Sequence, residues 1–177
     1  KGLDSVPNMR DRIGGELYGK TQQSFLTEEE MAELPFEDRV LFRKWAETPK
    51  GVPLESKGIR PRFWFSRGCM FQCTFCAVPG LRKAFPMKKY NRYPTVDRAI
   101  GEIESVADRW SFSTWVADDD VISQRKTWLI EFANKYPSRL KHLGWECNLR
   151  IETADEEVLR AFKETNCTLL KFGLESG

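Results

Sequence analysis

The chain has 177 residues, of which 41% are hydrophobic, and its 28 Lys and Arg nearly balance its 26 Asp and Glu, for a net charge of +2. This composition excludes a disordered chain, and the charge balance gives no reason to expect a nucleic-acid partner. Because the sequence lacks both a run of about 18 apolar residues and the apolar segment of a secretory signal, we expect a cytoplasmic protein that is not bound to a membrane. Five cysteines, three of them close together, favour a metal site over a secreted disulfide framework.

Residues 1–57 are predicted to form a linker with short helices, because glycines, prolines and polar residues interrupt its hydrophobic pattern. Thr27 is followed by three glutamates, which is typical of a helix start, since the hydroxyl caps free amides and the acids face the positive end of the helix dipole. The spacing of Val40, Leu41 and Trp45 predicts one face of a second short helix.

Beyond residue 57, apolar stretches of strand length alternate with amphipathic helical stretches. The pattern predicts strands over residues 62–66, 112–117, 144–149 and 168–174. It predicts helices over residues 96–107 and 124–135, and a further helix that begins with a capping box of Thr153 and Glu156. Successive strands lie about 25 to 50 residues apart, the spacing of parallel βαβ units. We therefore predict an α/β fold in which residues 58–177 form the first part of a parallel (β/α) barrel, truncated after about its fourth strand.

The strongest local motif is a cysteine loop, in which Cys69, Cys73 and Cys76 follow the first predicted strand with C-x3-C-x2-C spacing. Protein 4Fe-4S clusters normally take four thiolates, so three ligands either need a fourth from elsewhere or leave one iron open. The alternative is a structural zinc site, which would need the single histidine, His142, although it lies just ahead of the third strand. Ligands of parallel α/β folds bind at the carboxyl ends of strands, where this loop is expected.

The loop resembles the signature of the radical S-adenosylmethionine (SAM) superfamily, which follows the first strand of a partial (β/α)6 barrel. The stretches NRYPTVDRAIGEIE, WVADDDVI, ECNLRIETADEEVLRAFKETNC and LLKFGLESG resemble later parts of that barrel, so the resemblance covers about residues 62–177. It implies a 4Fe-4S cluster on the three cysteines, with the open iron chelated by SAM. Reduction would cleave SAM to methionine and a 5′-deoxyadenosyl radical that abstracts a substrate hydrogen. An electron donor such as flavodoxin or ferredoxin and a small-molecule or peptide substrate are then expected.

Strand alternation indicates which side chains face the inside of such a barrel. Its polar lining is expected to comprise Glu146, Asn148 and Arg150 in the third strand, and Lys171, Gly173 and Glu175 in the fourth. Polar groups turned inward are costly unless a polar ligand meets them, so we expect this lining, Asn148 included, to hold SAM. The remaining cysteines, Cys147 and Cys167, are expected to be small core residues.

The resemblance implies particular contacts to SAM. It places Arg150 on the SAM carboxylate, to which a guanidinium offers a planar fork, and the backbone of Phe75 beside the adenine. The alternative for Arg150 is an ion pair with Glu146 or Glu152.

Acidic residues at two strand ends are further candidates for binding SAM. Asp118, Asp119 and Asp120 follow the second strand, where by the same resemblance an acidic residue receives the SAM amino group, and Asp118 and Asp119 are the candidates, although these acids could instead cap the next helix. Glu175 and Ser176 are candidates for the amino group or the ribose hydroxyls, or they form a turn at the strand end.

The first segment narrows the subgroup, because LTEEEMAELPFEDRVLF resembles the "leucine-proline" linker of cobalamin-dependent radical SAM enzymes. That linker joins a cobalamin-binding domain to the barrel, so the resemblance implies cobalamin bound by a domain outside this chain, and methyl transfer or ring rearrangement as the chemistry. A radical SAM enzyme of the methylthiotransferase kind and a non-catalytic three-cysteine zinc module are the alternatives.

Overall fold

A computed structural model describes residues 11–18, 25–85 and 89–174 of the chain. Its strands are β1 (Asp11–Ile13), β2 (Glu16–Tyr18), β3 (Arg62–Phe63), β4 (Thr114–Ala117), β5 (Gly144–Leu149) and β6 (Cys167–Phe172). Its α-helices are α1 (Glu28–Glu33), α2 (Arg43–Ala46), α3 (Ala77–Ala84), α4 (Val96–Ala107), α5 (Lys126–Lys135) and α6 (Glu156–Glu164). Single 3-10 turns lie at Arg39–Leu41, Leu54–Lys57, Ile122–Gln124, Ser138–Leu140 and Ile151–Thr153. No helix within these described ranges is long and apolar enough to cross a membrane.

The main sheet has four parallel strands in the order β3-β4-β5-β6, with helices between successive strands. Neighbours in the chain are neighbours in the sheet, which is the strand order of a (β/α) barrel, so the predicted α/β class and partial barrel are confirmed. The first strand is shorter than predicted and ends at Phe63. The amides of Phe65 and Ser66 donate to the Asp119 carboxylate instead of continuing the ladder, which explains the early end.

The core lies between the outer face of the sheet and the helices, and it is rich in aromatic rings. Trp115 and Trp145 on neighbouring strands are fully buried and stack with ring centroids 4.8 Å apart. Phe132 of α5 packs against the edge of Trp145 at 6.2 Å. The predicted apolar face of α4 is buried and comprises Val96, Ala99, Ile100, Ile103 and Val106. This packing fixes the plane of the sheet on which the strand ends are arranged.

The inner face of the sheet is polar, as the alternation of β5 predicts. Glu146 forms ion pairs with Arg60 at 3.0 Å and with Lys171 of β6 at 2.9 Å. Burial opposes the ionisation of Glu146, but hydrogen bonds from Lys171 and Arg60 outweigh it and lower the pKa of this carboxyl. Lys171 therefore faces inward beside Glu146, as expected from the sequence.

The segment before the barrel differs from its prediction in two places. It contains a hairpin of β1 and β2, whose turn residues Gly14 and Gly15 have φ of +61° and +92°, as the tight hairpin turn between antiparallel strands requires. The second short helix is interrupted, because Phe42 is extended between the Arg39–Leu41 turn and α2. Leu41 is consequently 80% exposed and does not share a buried face with Trp45.

Two helix starts were predicted from hydroxyl residues, and one is correct. Thr27 caps α1 in a full capping box with Glu30. At α6 the predicted box of Thr153 and Glu156 is wrong, because Asp155 is the cap and accepts from the Val158 amide at 3.0 Å. The Thr153 hydroxyl instead donates to the backbone carbonyl oxygen three residues earlier at 2.8 Å, which leaves the cap to the aspartate.

Helix α1 is tied to the barrel through Glu28. One of its oxygens accepts from the Tyr93 amide at 2.8 Å and pairs with Arg125 Nη2 at 2.5 Å, and the other pairs with Lys89 Nζ. Burial opposes ionisation of this carboxyl, but hydrogen bonds from Arg125 and Lys89 outweigh it and lower the pKa of Glu28. Glu28 thus links α1 to Lys89, Tyr93 and Arg125, which all follow the cysteine loop in the chain.

Candidate cluster and cofactor site

The cysteine loop runs from the end of β3 into α3 and forms one wall of a cleft of about 470 Å³. All three cysteines of the motif line this cleft. The opposite walls come from residues that follow β4 and from the last residues of β5 and β6 with those that follow them, so the carboxyl ends of all four parallel strands meet there. The residues that line it include Phe71, Phe75, Val78, Asp120, Asn148, Arg150, Lys171 and Gly173. This is the edge of a parallel sheet where ligands of α/β proteins bind.

The loop begins at Gly68, where only glycine fits. Its φ is +84°, and a Cβ built there would lie 2.5 Å from the Tyr90 carbonyl oxygen. Side chains from other elements then hold the main chain around Cys69. The Gln124 amide donates to the Gly68 carbonyl at 3.0 Å and accepts from the Met70 amide at 2.9 Å. The backbone on both sides of the first cysteine is therefore fixed without any contact to its sulfur.

The thiols differ in their surroundings. Burial raises the pKa of the Cys69 thiol, and the neighbouring Asp120 and the other two thiols add to the effect. Cys76 is exposed and caps α3, since its sulfur accepts from the Val78 amide at 3.4 Å. Within the described ranges, no group of three or more His, Cys, Asp or Glu side chains is arranged to hold one metal ion. Three soft sulfur donors on one cleft nevertheless suit an iron–sulfur cluster by ligand type.

Arg150 reaches from the end of β5 to the cysteine loop. Its Nη1 donates to Cys73 Sγ at 3.0 Å, and its guanidinium lies over the Phe71 ring, 4.4 Å from the centroid. On the other side of the guanidinium, the Glu152 carboxylate accepts hydrogen bonds from Nη2 at 2.6 Å and from Nε at 3.2 Å. The ion pair with Glu152, which the sequence left open as an alternative, is therefore present.

The run of three aspartates after β4 divides between different roles. Asp118 pairs with Arg62 on the inner face of the sheet, with 2.5 Å between Oδ1 and Nη2. Asp119 is fully buried and accepts from the amides of Phe65 and Ser66, and burial raises its pKa to about 6. Neither residue lines the cleft, and each carboxylate is bound by other groups of the protein, so their contact with the SAM amino group stays a prediction. Asp120, the third aspartate of the run, lines the cleft.

Two other residues predicted to contact SAM line the cleft. Asn148 lines the cleft, and its amide donates to the Asp119 carbonyl at 3.1 Å. Phe75 also lines the cleft and is 66% exposed. Glu175 and Ser176 lie outside the residues that the structure describes.

The single histidine and the two remaining cysteines do not line the cleft. His142 is exposed in the turn before β5, at the edge of the sheet opposite to the cysteine cleft. Cys147 is buried on the outer face of β5, and contact with the Cys167 thiol together with burial raises its pKa. These two cysteines belong to the core side of the sheet, as expected from the sequence.

Comparison with known proteins identifies the family. The sequence profile of the radical SAM superfamily matches residues 65–177. The chain belongs to this superfamily. It is 28% identical over 111 residues to the uncharacterized methyltransferase PH0819 of Pyrococcus horikoshii, a match that covers 63% of this chain and 23% of that protein.

Solved structures show the same fold. The chain matches the radical SAM methyltransferase TsrM from Kitasatospora setae, solved with cobalamin and a [4Fe-4S] cluster, with a TM-score of 0.55 and 17% identity over 72% of this chain and 26% of that one. A second structure of TsrM, with tryptophan substrate and a SAM analogue, matches with the same TM-score and identity over 25% of its length. The chain thus spans about a quarter of the length of the relatives it matches.

Proposed function

We propose that this chain is part of a radical SAM enzyme in which Cys69, Cys73 and Cys76 hold a 4Fe-4S cluster and the same cleft binds SAM. One observation carries the proposal: the three sulfurs of the motif line a single cleft at the carboxyl ends of four parallel strands. When bound, the cluster supplies the electron for the reductive cleavage of SAM.

The chain's own residues give this cleft the character that SAM requires. Asn148 and Asp120 offer an amide and a carboxylate, and Lys171 offers an ammonium group held by Glu146. Phe75 presents an exposed ring beside the cysteines. A ligand with charged groups at one end and an aromatic base at the other meets complementary groups at both ends.

The test is anaerobic reconstitution of the full-length natural protein with iron and sulfide. The expected result is four irons per chain and, with SAM and a strong reductant, release of 5′-deoxyadenosine. Cys73→Ala is expected to abolish that release, whereas the matched control Cys167→Ser, a cysteine outside the cleft, is expected to retain it. Stoichiometric zinc without iron would refute the proposal. Flavodoxin or ferredoxin is the expected natural electron donor and can replace the chemical reductant.

We further propose that the reaction is a cobalamin-dependent methyl transfer. Two comparisons support it: the Pyrococcus relative is named a methyltransferase, and the matching TsrM structure contains cobalamin. The full-length protein should then bind cobalamin and convert SAM to S-adenosylhomocysteine in the presence of substrate. Cobalamin-free protein that performs the same chemistry would refute this second proposal and favour another radical SAM reaction.

A further inference from the structure

The guanidinium of Arg150 is oriented before any ligand binds. A guanidinium has two edges that can bind in parallel, and Glu152 occupies the edge formed by Nε and Nη2. Phe71 covers one face of the plane at 4.4 Å from its ring centroid. Of the five N–H donors of the guanidinium, two bind Glu152 and one, on Nη1, donates to Cys73 Sγ, 3.0 Å away.

The orientation matters because the partners come from distant parts of the chain. Cys73 lies on the loop after β3, and Arg150 follows β5, two strands away in the sheet. Glu152 is more exposed than the guanidinium, 56% against 27%, so it fixes the arginine from the solvent side. A cation therefore lies within 3.0 Å of the Cys73 sulfur, and turning it away would break its contacts with both Glu152 and the Phe71 ring.

We propose that Arg150 is a positioning residue that donates a hydrogen bond to the Cys73 thiolate and raises the reduction potential of the cluster. This inference rests on the proposed function, since it requires the cluster. Hydrogen bonds to the sulfurs and nearby positive charge are the protein's means of setting a cluster potential. A donor to a ligand sulfur stabilises the more negative, reduced cluster more than the oxidised one. Removing it should make reduction harder.

The decisive measurement is the midpoint potential of the reconstituted full-length protein, followed by electron paramagnetic resonance during titration with dithionite and redox mediators, without SAM. Each oxidised cluster is reduced by one electron, which dithionite supplies through the mediators. In Arg150→Met, the equilibrium constant for reduction is expected to fall about tenfold, which equals a potential about 59 mV lower. Arg150→Lys keeps the charge but not the fork, and its potential should lie between those of the wild type and Arg150→Met.

The matched control is Arg82→Met. Arg82 also binds the cysteine loop, but through the Met70 carbonyl oxygen at 3.0 Å and not through a sulfur. Its potential should equal that of the wild type, so that general loosening of the loop is separated from loss of the hydrogen bond to sulfur.

Each outcome has one meaning. Wild-type protein without a 4Fe-4S cluster would refute the proposed function itself. Arg150→Met with full cluster content and an unchanged potential would overturn the inference, and a simultaneous loss of SAM affinity would assign Arg150 to the SAM carboxylate. If Arg150→Met does not take up the cluster, Arg150→Lys decides, because an unchanged potential there overturns the inference and a lower one supports it.

Discussion

Asp119 should make the stability of the chain fall as the pH rises from 4 to 7. The group is fully buried, and burial raises its pKa from 3.8 to about 6 even though the amides of Phe65 and Ser66 donate to it. The folded chain therefore binds this proton more tightly than the unfolded chain does. Its contribution is most favourable below pH 3.8, declines as the pH approaches 6, and is constant above that.

The magnitude follows from the two pKa values. A rise from 3.8 to about 6 corresponds to about 3 kcal/mol of unfolding free energy over the whole range, at about 1.4 kcal/mol per pH unit. Between pH 4 and pH 7 about 2 kcal/mol of this should be seen, because the unfolded group is already partly ionised at pH 4. The side chain of Asp119→Asn cannot ionise. The difference in unfolding free energy between this variant and the wild type should therefore shift by about that amount in favour of the variant from pH 4 to pH 7.

Denaturant unfolding measures the effect, with the fluorescence of the buried Trp115 and Trp145 as the signal. The control is Asp155→Asn, at the exposed cap of α6, where hydrogen bonds from Lys126 and the Val158 amide lower the pKa of the aspartate. Ionised Asp155 stabilises the folded chain, and this stabilisation is lost as the pH falls. The pH dependence that Asp155→Asn removes therefore has the opposite sign. Parallel curves for wild type and Asp119→Asn from pH 4 to 7 would show that the reasoning about burial is wrong.

Three further tests concern the stability of the fold. Gly68→Ala should destabilise the chain by more than Gly51→Ala and lower its iron content, because both residues have φ above +80° but only Gly68 meets a backbone oxygen, at 2.5 Å. Phe132→Ala should cost about 3 to 5 kcal/mol in denaturant unfolding, while Leu41→Ala, 80% exposed, should cost less than about 0.5 kcal/mol. Burial opposes ionisation of Glu55, but hydrogen bonds from backbone amides at the start of β4 outweigh burial and lower the pKa of this carboxyl. The unfolding free energy of the wild type should therefore exceed that of Glu55→Gln at neutral pH, and the difference should shrink as the pH is lowered through that pKa.

The barrel and the cysteine loop were predictable because their signals are local or periodic. The C-x3-C-x2-C spacing needs only the sequence, and the apolar stripe of α4 repeats at helical spacing. The hairpin at Gly14 and Gly15 was missed, because strands of three residues are too short to show an alternation, and two glycines are equally typical of a flexible linker.

The individual roles of the site residues depended on tertiary contacts. Three consecutive aspartates look alike in the sequence, but directly after β4 Asp118 pairs with Arg62 on the inner face, and Asp119 is buried and accepts from the amides of Phe65 and Ser66. That leaves Asp120 for the cleft. For Arg150 the sequence offered a neighbouring glutamate and a cofactor, and its third partner, a sulfur 77 positions away, became visible only when β3 and β5 were brought together.

The bonds made by Glu28 bear on where this domain can be cut. A shortened version that starts at residue 58 would contain every strand of the main sheet and every cysteine, whereas one that starts at residue 65, the first residue matched by the superfamily profile, would lack β3. Both versions would leave Arg125 and Lys89 without their counter-ion and the Tyr93 amide without its acceptor. An expressed version of this domain should therefore begin upstream of Thr27, so that it contains the whole of α1 together with the main sheet.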